Sequence, residues 1–327
     1  MPGMRPSLAK VDDYPALLNE AWAQHLAPRA ENAPTVISTF AGAGGSSLGY
    51  SMAGYRELLA VEWDDNAVET FRLNFPDVPV YHGDIAALSV EEVLRLTGLK
   101  PGELDIFDGS PPCQGFSTAG KRVMDDPRNS LFREFVRLLR GLQPKVFVME
   151  NVSGMVKGKM KLIFADILRE LKACGYVVST RLLNAMYFNV PQSRERLIFI
   201  GVRDDLGIAP SHPKAQAKPI TVQQAIGAIG RIEYRHSYSV GKVNWAVSSF
   251  DKPCLTITKT GLGWRVFIDG LQRRFTGTEL KILASYPRQF RFTDDDNAWE
   301  RIGNSVPPLF MRAIAQHIRS DILERIP

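Results

Sequence analysis

The strongest constraint on the fold of this 327-residue chain is an alternation of short β-rich runs with helical patterns. The β-rich runs occupy residues 35–40, 58–61, 78–81, 104–107, 146–149, 177–183 and 197–202. Helical patterns lie between several of them, at 67–75 and at 131–139, where four apolar side chains fall on one face. Strands that alternate with helices predict an α/β fold with a mostly parallel, doubly wound sheet.

The alternation stops near residue 203, and this break predicts the domain organisation. Residues 204–270 are rich in Pro, Gly, Ser and basic side chains without sustained periodicity, which predicts a small, irregular second domain. A helical pattern resumes at Gly277, and 307–326 is typical of a helix begun by prolines. We therefore predict an N-terminal extension (1–33), a main domain (34–203), the small domain (204–270) and a C-terminal segment (271–327) that returns to the main domain.

Composition excludes several classes of protein. Cys113, Cys174 and Cys254 are too few and too scattered for a disulfide framework or a zinc site, so we expect no metal and a reducing compartment. The first residues lack the apolar core of a signal peptide, and no run reaches the roughly 18 to 20 apolar residues of a membrane span. We expect a cytoplasmic protein with no membrane contact. A net charge of +5, from 40 basic and 35 acidic residues, is compatible with a polyanionic partner.

A glycine-rich turn follows the first strand. In FAGAGGSSLG, Gly42 and Gly44 stand between a strand and a helix, where backbone without side chains lets a ligand approach the helix N-terminus. Glycine-rich turns without a ligand are common, so this turn alone decides little. Glu62 ends the second strand about 20 residues later, where a carboxylate can accept hydrogen bonds from ribose hydroxyls.

An adenosine-bearing cofactor explains the first three strand ends together. Asp84 ends the third run, and Trp63 and Ile85 are placed to line the base. No lysine follows the glycines as in a phosphate-binding loop, which disfavours a nucleoside triphosphate.

Two further groups should emerge at the same edge of the sheet. Cys113 follows the run at 104–107 and Glu150 follows the run at 146–149, and ligands of open α/β sheets bind at the carboxyl ends of strands. A free cysteine usually packs as a small hydrophobe, and Glu150 could cap a helix or pair with an arginine. The loop sequence GSPPCQGFS favours a thiol facing a cleft.

In this order and spacing, the motifs resemble those of the DNA cytosine-5 methyltransferases that use S-adenosylmethionine. FAGAGG is similar to the family's cofactor loop, GSPPCQGFS to its nucleophile motif, ENV to its glutamate motif and QSRERLIFIG to its arginine motif. RRFTGTELKILASYP and RIGNSVPP resemble its two closing motifs. The resemblance implies a Rossmann-like class I methyltransferase fold in which 34–203 is the catalytic and cofactor-binding domain and 204–270 the target-recognition domain.

The resemblance also implies roles for single residues. Cytosine C5 is a poor nucleophile, and addition of the Cys113 thiolate at C6 would enrich the ring in electrons. Glu150 would donate a hydrogen bond or a proton to N3 of the ring. Arg194 and Arg196 would balance the negative charge of Glu150, with Arg196 next to the base. The residues implied to bind S-adenosylmethionine are Phe40, Gly42, Gly44, Gly45, Glu62, Trp63, Asp84, Ile85, Asp108, Pro111, Asn304 and Ser305.

The implied substrate is a short site in double-stranded DNA, with the target base rotated out of the helix. A polar loop after Cys113 and basic side chains of the small domain would contact the duplex. These residues are Gln114, Ser117, Lys121, Arg122, Arg128, Lys259 and Arg265. The extension 1–33 would either widen this DNA surface or pack on the C-terminal helix.

Three other functions stay open at this point. A transfer-RNA cytosine methyltransferase shares the motifs, although that subgroup carries a Cys-Phe-Thr element and a PCQPF-like loop that this chain lacks. A non-catalytic DNA-binding repressor on the same scaffold would not require Cys113, Glu150 and Arg196. A nicotinamide-dependent oxidoreductase is the third. For the favoured reading we expect a bacterial or phage-encoded monomer, with a cognate restriction endonuclease as a partner.

Overall fold

A seven-stranded sheet forms the centre of the molecule. The computed structural model describes residues 10–112, 130–156, 160–239, 242–259 and 264–326. The strands of the large sheet are β1 (Thr35–Thr39), β2 (Arg56–Glu62), β3 (Val80–His82), β4 (Ile106–Gly109), β5 (Val146–Val152), β6 (Tyr176–Asn184) and β7 (Glu195–Arg203). Their spatial order is β3-β2-β1-β4-β5-β7-β6. The first five strands pair in parallel and β7 runs antiparallel to both neighbours, which confirms the mostly parallel α/β prediction.

The chain reverses its direction of travel across the sheet between β1 and β4. From β1 it builds β2 and β3 on one side, and it then returns to place β4 and β5 on the other. Such a switch point opens a crevice at the carboxyl ends of the two strands.

The helices of the described residues, in chain order, are α1 (Tyr14–Leu26), α2 (Gly45–Met52), α3 (Asp65–Asn74), α4 (Val90–Thr97), α5 (Ser130–Leu142), α6 (Met160–Lys172), α7 (Val222–Ile226), α8 (Gly277–Leu283), α9 (Asp295–Asn304) and α10 (Pro308–Asp321).

Helix α5 shows how apolar spacing produces this layer. Phe135, Leu138 and Leu139 recur on one face and are fully buried against the sheet, where the Phe135 ring stacks on Phe107 of β4 with centroids 4.8 Å apart. They belong to a core on the face covered by α4, α5 and α6. The opposite face is covered by α2, α3 and the C-terminal helices.

The C-terminal segment returns to the main domain through a close contact of α10 with α2. A Cβ atom on Gly49 of α2 would lie 2.6 Å from Cβ of Met311 and 2.7 Å from the carbonyl oxygen of Pro308. Glycine at this position therefore sets the distance between the two helices. The predicted helix at 307–326 matches α10.

The N-terminal extension packs against the body of the protein. Tyr14, Leu18 and Ala21 of α1 are buried in the core shared with α10, and the Tyr14 hydroxyl donates to the carbonyl of Ile282 at 3.2 Å. Arg29 then donates to the carbonyl of Tyr55 at 3.0 Å. Residues 14–29 therefore pack on the main domain and the C-terminal helix, which is the second of the two alternatives for the extension.

The small domain is more regular than its sequence indicates. Strands β8 (Gly230–Ser239), β9 (Lys242–Ser249), β10 (Trp264–Ile268) and β11 (Leu271–Gln272) form an antiparallel sheet in the order β11-β10-β8-β9. Its apolar side chains, among them Ile232 and Val266, join the core of the main domain. The sequence of 204–270 shows no sustained periodicity, whereas the described residues of this region include regular antiparallel strands.

Candidate active site

Strand register aligns the predicted site residues at one edge of the large sheet. Thr39 of β1 pairs with Gly109 of β4, and Gly109 pairs with Met149 of β5. On the other side, Thr39 pairs with Val61 of β2. The residues that follow these four, including Phe40, Glu62 and Glu150, therefore stand side by side at the carboxyl edge.

The glycine loop adopts a backbone that side chains rarely allow. Phe40, Gly42 and Gly44 have positive φ angles of 55°, 56° and 91°. A Cβ atom on Gly42 would meet no atom within 4 Å, so the backbone of this residue faces open space. The loop thus presents uncovered main chain at the N-terminus of α2, as the predicted cofactor site requires.

Glu62 ties the loop to the end of β2. One carboxylate oxygen accepts from the Gly42 amide at 2.8 Å, and the other accepts from the amides of Trp63 and Asp64 at 2.9 and 3.0 Å. The side chain is buried, yet each carboxylate oxygen can accept more than one hydrogen bond. Glu62 can therefore shape the loop and still accept from a ligand hydroxyl.

The three residues predicted near the adenine base of the cofactor differ in how far their side chains are exposed to a ligand. The Trp63 ring is 76% exposed beside the loop, which suits stacking against a flat ligand. Ile85 is only 4% exposed and packs in the core under the sheet, so it offers little contact area to a ligand. Asp84 is exposed, and its carboxylate accepts from the Ala86 amide at 2.9 Å to cap the short helical turn Ile85–Ala87.

Asp108 lies beneath the site rather than in it. It is buried in β4, where its carboxylate accepts from the Tyr50 hydroxyl at 3.1 Å. Burial raises the pKa of Asp108 well above its usual value, and the charges of Glu57 and Glu150 act in the same direction. The contact that the structure gives this predicted cofactor residue is thus with helix α2.

The closing motif reaches the glycine loop through Ser305. The Ser305 hydroxyl lies 2.5 Å from the Tyr286 hydroxyl, and a Cβ atom on Gly45 would lie 2.0 Å from that serine oxygen. Asn304, the last residue of α9, is exposed next to it. Ser305 is therefore brought against the start of α2, although about 260 residues separate it from Gly45 in the chain, and Asn304 is the exposed residue before it.

Glu150 and Arg196 form the charged centre of the edge. Arg196 Nε lies 2.6 Å from a Glu150 carboxylate oxygen, and the two side chains are 13% and 12% exposed. Antiparallel pairing of β5 with β7 places them on the same face, since Glu150 lies opposite Ile198 and Val152 opposite Arg196. Next to Glu150, the Asn151 amide donates to the carbonyl of the buried Pro111 at 3.2 Å.

Arg194 is placed differently from Arg196. Its guanidinium is buried and donates to the carbonyls of Ile257 and Gly303, each at 2.9 Å. Burial is the main reason that its pKa falls to about 9, and the charge of Arg196 lowers it further while that of Glu150 opposes the shift. Its hydrogen bonds connect β7 to the segment before the small sheet and to the end of α9.

Several predicted residues lie outside the part of the chain that the structure describes. They are Cys113, Gln114, Ser117, Lys121, Arg122 and Arg128. Of the remaining DNA-contact candidates, Lys259 is exposed and its backbone packs against Gly303, and Arg265 is exposed on the outer face of the small sheet.

The structure adds four residues to the predicted site. Tyr286 and Tyr50 each hold a predicted site residue by a hydroxyl contact, Arg301 binds Asp64 at 2.9 Å beside Glu62, and Asn151 follows Glu150. Asn151 adjoins a predicted residue, and Tyr286 and Arg301 lie within the two closing motifs, so their positions were usable signals. Tyr50 is far from Asp108 in sequence, and no local pattern marks it.

The edge as a whole fits S-adenosylmethionine. Open space over Gly42, the spare acceptor capacity of Glu62 and the exposed Trp63 ring match a ligand with a ribose diol and a flat base. Among the described residues no group of three His, Cys, Asp or Glu side chains could hold a metal ion. No described helix has the length and apolar character to cross a bilayer.

Comparison with known proteins is consistent with this site. Residues 34–252 match the model of a family described as C-5 cytosine-specific DNA methylase. A Type II methyltransferase of Haemophilus parahaemolyticus, M1.HphI, is 36% identical over 87% of this chain and 86% of its own length. M.NgoPII of Neisseria gonorrhoeae, also a Type II methyltransferase, is 30% identical over 91% of this chain and 99% of its own.

Solved structures share the fold. A DNA modification methyltransferase encoded within an E. coli prophage superposes with a TM-score of 0.71 at 23% identity, covering 88% of this chain and 99% of that one. A mutant of Spodoptera frugiperda DNMT2 gives a TM-score of 0.65 at 20% identity over 88% and 99%.

Proposed function

Because this chain belongs to the C-5 cytosine-specific DNA methylase family, we propose that Cys113 attacks C6 of a cytosine that has been rotated out of duplex DNA. The enzyme is a DNA cytosine-5 methyltransferase, and its methyl donor is S-adenosylmethionine. The observation that supports the finer proposal is the Glu150–Arg196 ion pair of 2.6 Å at the same sheet edge as the glycine loop.

Each residue of the edge has a task in this reaction. The Cys113 thiolate bonds to C6 and the C5–C6 double bond opens. Glu150, protonated once the base is bound, gives a proton to N3 and takes it back when the ring is restored. Arg196 orients the Glu150 carboxyl group through their contact of 2.6 Å. When bound, the cofactor supplies an electrophilic methyl group to C5. Loss of the C5 proton to a base then expels the Cys113 thiolate and restores the ring.

The residues that would hold S-adenosylmethionine are those of the open glycine loop and its supports. Glu62 would accept from the ribose, Trp63 would cover the base, and Ser305 keeps α2 in position through its contact at Gly45. The residues that only support the loop from below, Asp108 and Ile85, are assigned a structural task.

The first test is a duplex with 5-fluorocytosine at the target position, which blocks loss of the final proton and traps the adduct. We expect a stable complex linked at Cys113, none with Cys113→Ser, and methylation reduced by about 100-fold or more with Glu150→Gln. Bisulfite sequencing of DNA from expressing cells should show 5-methylcytosine in one short context. Folded, cofactor-bound protein that leaves duplex DNA unmodified but methylates transfer RNA would contradict the proposal.

The relatives suggest the biological setting. Both compared enzymes are named Type II methyltransferases, so we extend to this chain a modification role in a bacterial or phage restriction-modification system, with a cognate endonuclease as its partner. A cytoplasmic monomer remains our prediction. Light scattering after size exclusion tests the oligomeric state, and resistance of modified DNA to an endonuclease encoded beside the gene tests the pairing.

A further inference from the structure

The outer face of the small sheet carries guanidinium groups backed by aromatic rings. Arg235 of β8 lies opposite Trp245 of β9, and Arg265 of β10 lies opposite Glu233 of β8. Cross-strand partners share a face, so these side chains point away from the core that takes up Ile232. The face is therefore both exposed and rich in positive charge.

The Arg265 guanidinium lies over an aromatic ring without being neutralised. Its guanidinium carbon lies 4.1 Å from the centre of the Trp245 ring, and that of Arg235 lies 5.9 Å from the same ring. Glu233, the carboxylate opposite Arg265, is bonded to Arg231 at 3.0 Å. Among the residues that the structure describes, Arg265 makes no ion pair, so its N–H groups are available to an outside acceptor.

This end of the small sheet adjoins the catalytic edge. Trp264 begins β10, and its ring lies 6.4 Å from that of Trp299 in α9, the helix that ends at the closing motif. The backbone of Lys259 packs against Gly303, whose carbonyl is bound by Arg194. A continuous series of contacts thus joins Arg265 to the strand that carries Arg196.

We propose that Arg265, braced by Trp245, reads a guanine of the target sequence through the major groove. A planar guanidinium fork matches the O6 and N7 acceptors of guanine, and bracing on a ring lowers the freedom lost when both hydrogen bonds form. The inference rests on the proposed methylation of duplex DNA. It requires the recognised context to contain guanine.

The protein supplies its own matched control. Arg231 lies on the same face and is stacked in the same way, 4.0 Å from the centre of the Phe267 ring, but it is paired with Glu233. Arg265→Ala should lower kcat/KM on the cognate duplex by about 10- to 100-fold and add methylated contexts in which one guanine is replaced. Arg231→Ala combined with Glu233→Gln removes the ion pair as a whole and leaves no unpaired carboxylate opposite Arg265, so this variant should keep the wild-type context and stay within about threefold in kcat/KM.

The decisive measurement uses 7-deazaguanine, which removes only the N7 acceptor, at each guanine of the cognate duplex in turn. At one position the wild type should lose about tenfold in kcat/KM, whereas Arg265→Ala should be indifferent to the replacement. Cofactor affinity and the thermal midpoint of Arg265→Ala should equal those of the wild type.

Three results would overturn the inference. They are a wild-type context without guanine, an unchanged context in Arg265→Ala despite weaker activity, and equal effects of 7-deazaguanine on both proteins. The second would reduce Arg265 to a phosphate contact. A wild type that methylates no DNA would instead refute the proposed function, so the two failures are distinguishable.

Discussion

Single residues in this protein show how burial changes the chemistry of a carboxyl group. Glu57 of β2 accepts from the Ser47 hydroxyl at 2.8 Å, and burial raises its pKa to about 7. Two hydroxyl groups, of Ser38 and Ser47, oppose the shift without cancelling it. Its neighbour Asp108 is buried in the same region, while Glu150 faces Arg196 at the edge. Burial thus raises the pKa of the two carboxyl groups inside the sheet, whereas Glu150 at the edge is paired with Arg196.

The pKa of Glu57 predicts a dependence of stability on pH. The folded protein keeps this proton between about pH 4.5 and 7 while the unfolded chain has lost it, so the free energy of unfolding falls as the pH rises through that window. Glu57→Gln removes the titrating group and should gain about 1 to 3 kcal/mol over the wild type at pH 8, with little difference at pH 4.5.

Urea denaturation at a series of pH values measures this effect. Glu69→Gln, at an exposed position of α3, is the matched control and should leave the stability profile unchanged. Equal profiles for wild type and Glu57→Gln would show that Glu57 is ionised in the fold.

At the scale of elements, the contact between α2 and α10 joins the cofactor loop to the C-terminal segment. Gly45 and Gly49 lie one turn apart on α2, and each faces atoms of the returning segment at distances that exclude a side chain. The same helix starts at the glycine loop, so any displacement of α10 is transmitted to the cofactor site. Small residues in GGSSLG are thus required for helix packing as well as for ligand access.

Gly49→Ala tests this contact. The added methyl group meets backbone atoms of α10, at Pro308 and Arg312, which cannot rotate away, so we expect a loss of about 1 to 3 kcal/mol and weaker binding of S-adenosylmethionine. Ser46→Ala on the same helix should be neutral or slightly stabilising, since alanine is the better helix former and Ser46 is half-buried. Thermal unfolding and calorimetric titration check both variants. An unchanged midpoint for Gly49→Ala would mean that α10 adjusts freely.

For the whole molecule, Arg194 links the parts that must act together. One guanidinium holds β7, the segment leading into the small sheet at Ile257 and the end of α9 at Gly303. Buried main-chain carbonyls need donors, and a planar fork can serve two of them at once. The arginine predicted to balance charge at the base is therefore also placed to hold β7, the segment before the small sheet and the end of α9 together.

Arg194→Lys should separate the two tasks. A single ammonium group cannot span both carbonyls, so we expect a lower thermal midpoint, with KM for DNA and Kd for S-adenosylmethionine each raised about tenfold and kcat within about threefold of the wild type. Arg196→Lys is the contrasting variant and should lower kcat with cofactor affinity unchanged, because Arg196 contacts Glu150. A large loss of kcat in Arg194→Lys at normal affinities would instead place Arg194 in the chemistry.

The sequence by itself determined the α/β class, which residues follow the carboxyl ends of the strands, and the residue types at the catalytic edge. This was possible because parallel strands collect their carboxyl ends at one edge, so residues such as Glu62 and Glu150 come to the same edge wherever the chain runs between them. Only the tertiary structure decided which of the predicted residues face the edge. Asp108 and Ile85 turn into the core, Arg194 binds two carbonyls, and an unpredicted small sheet carries Arg265. These outcomes depend on contacts between segments far apart in the chain, and side-chain burial at such contacts leaves no local pattern in the sequence.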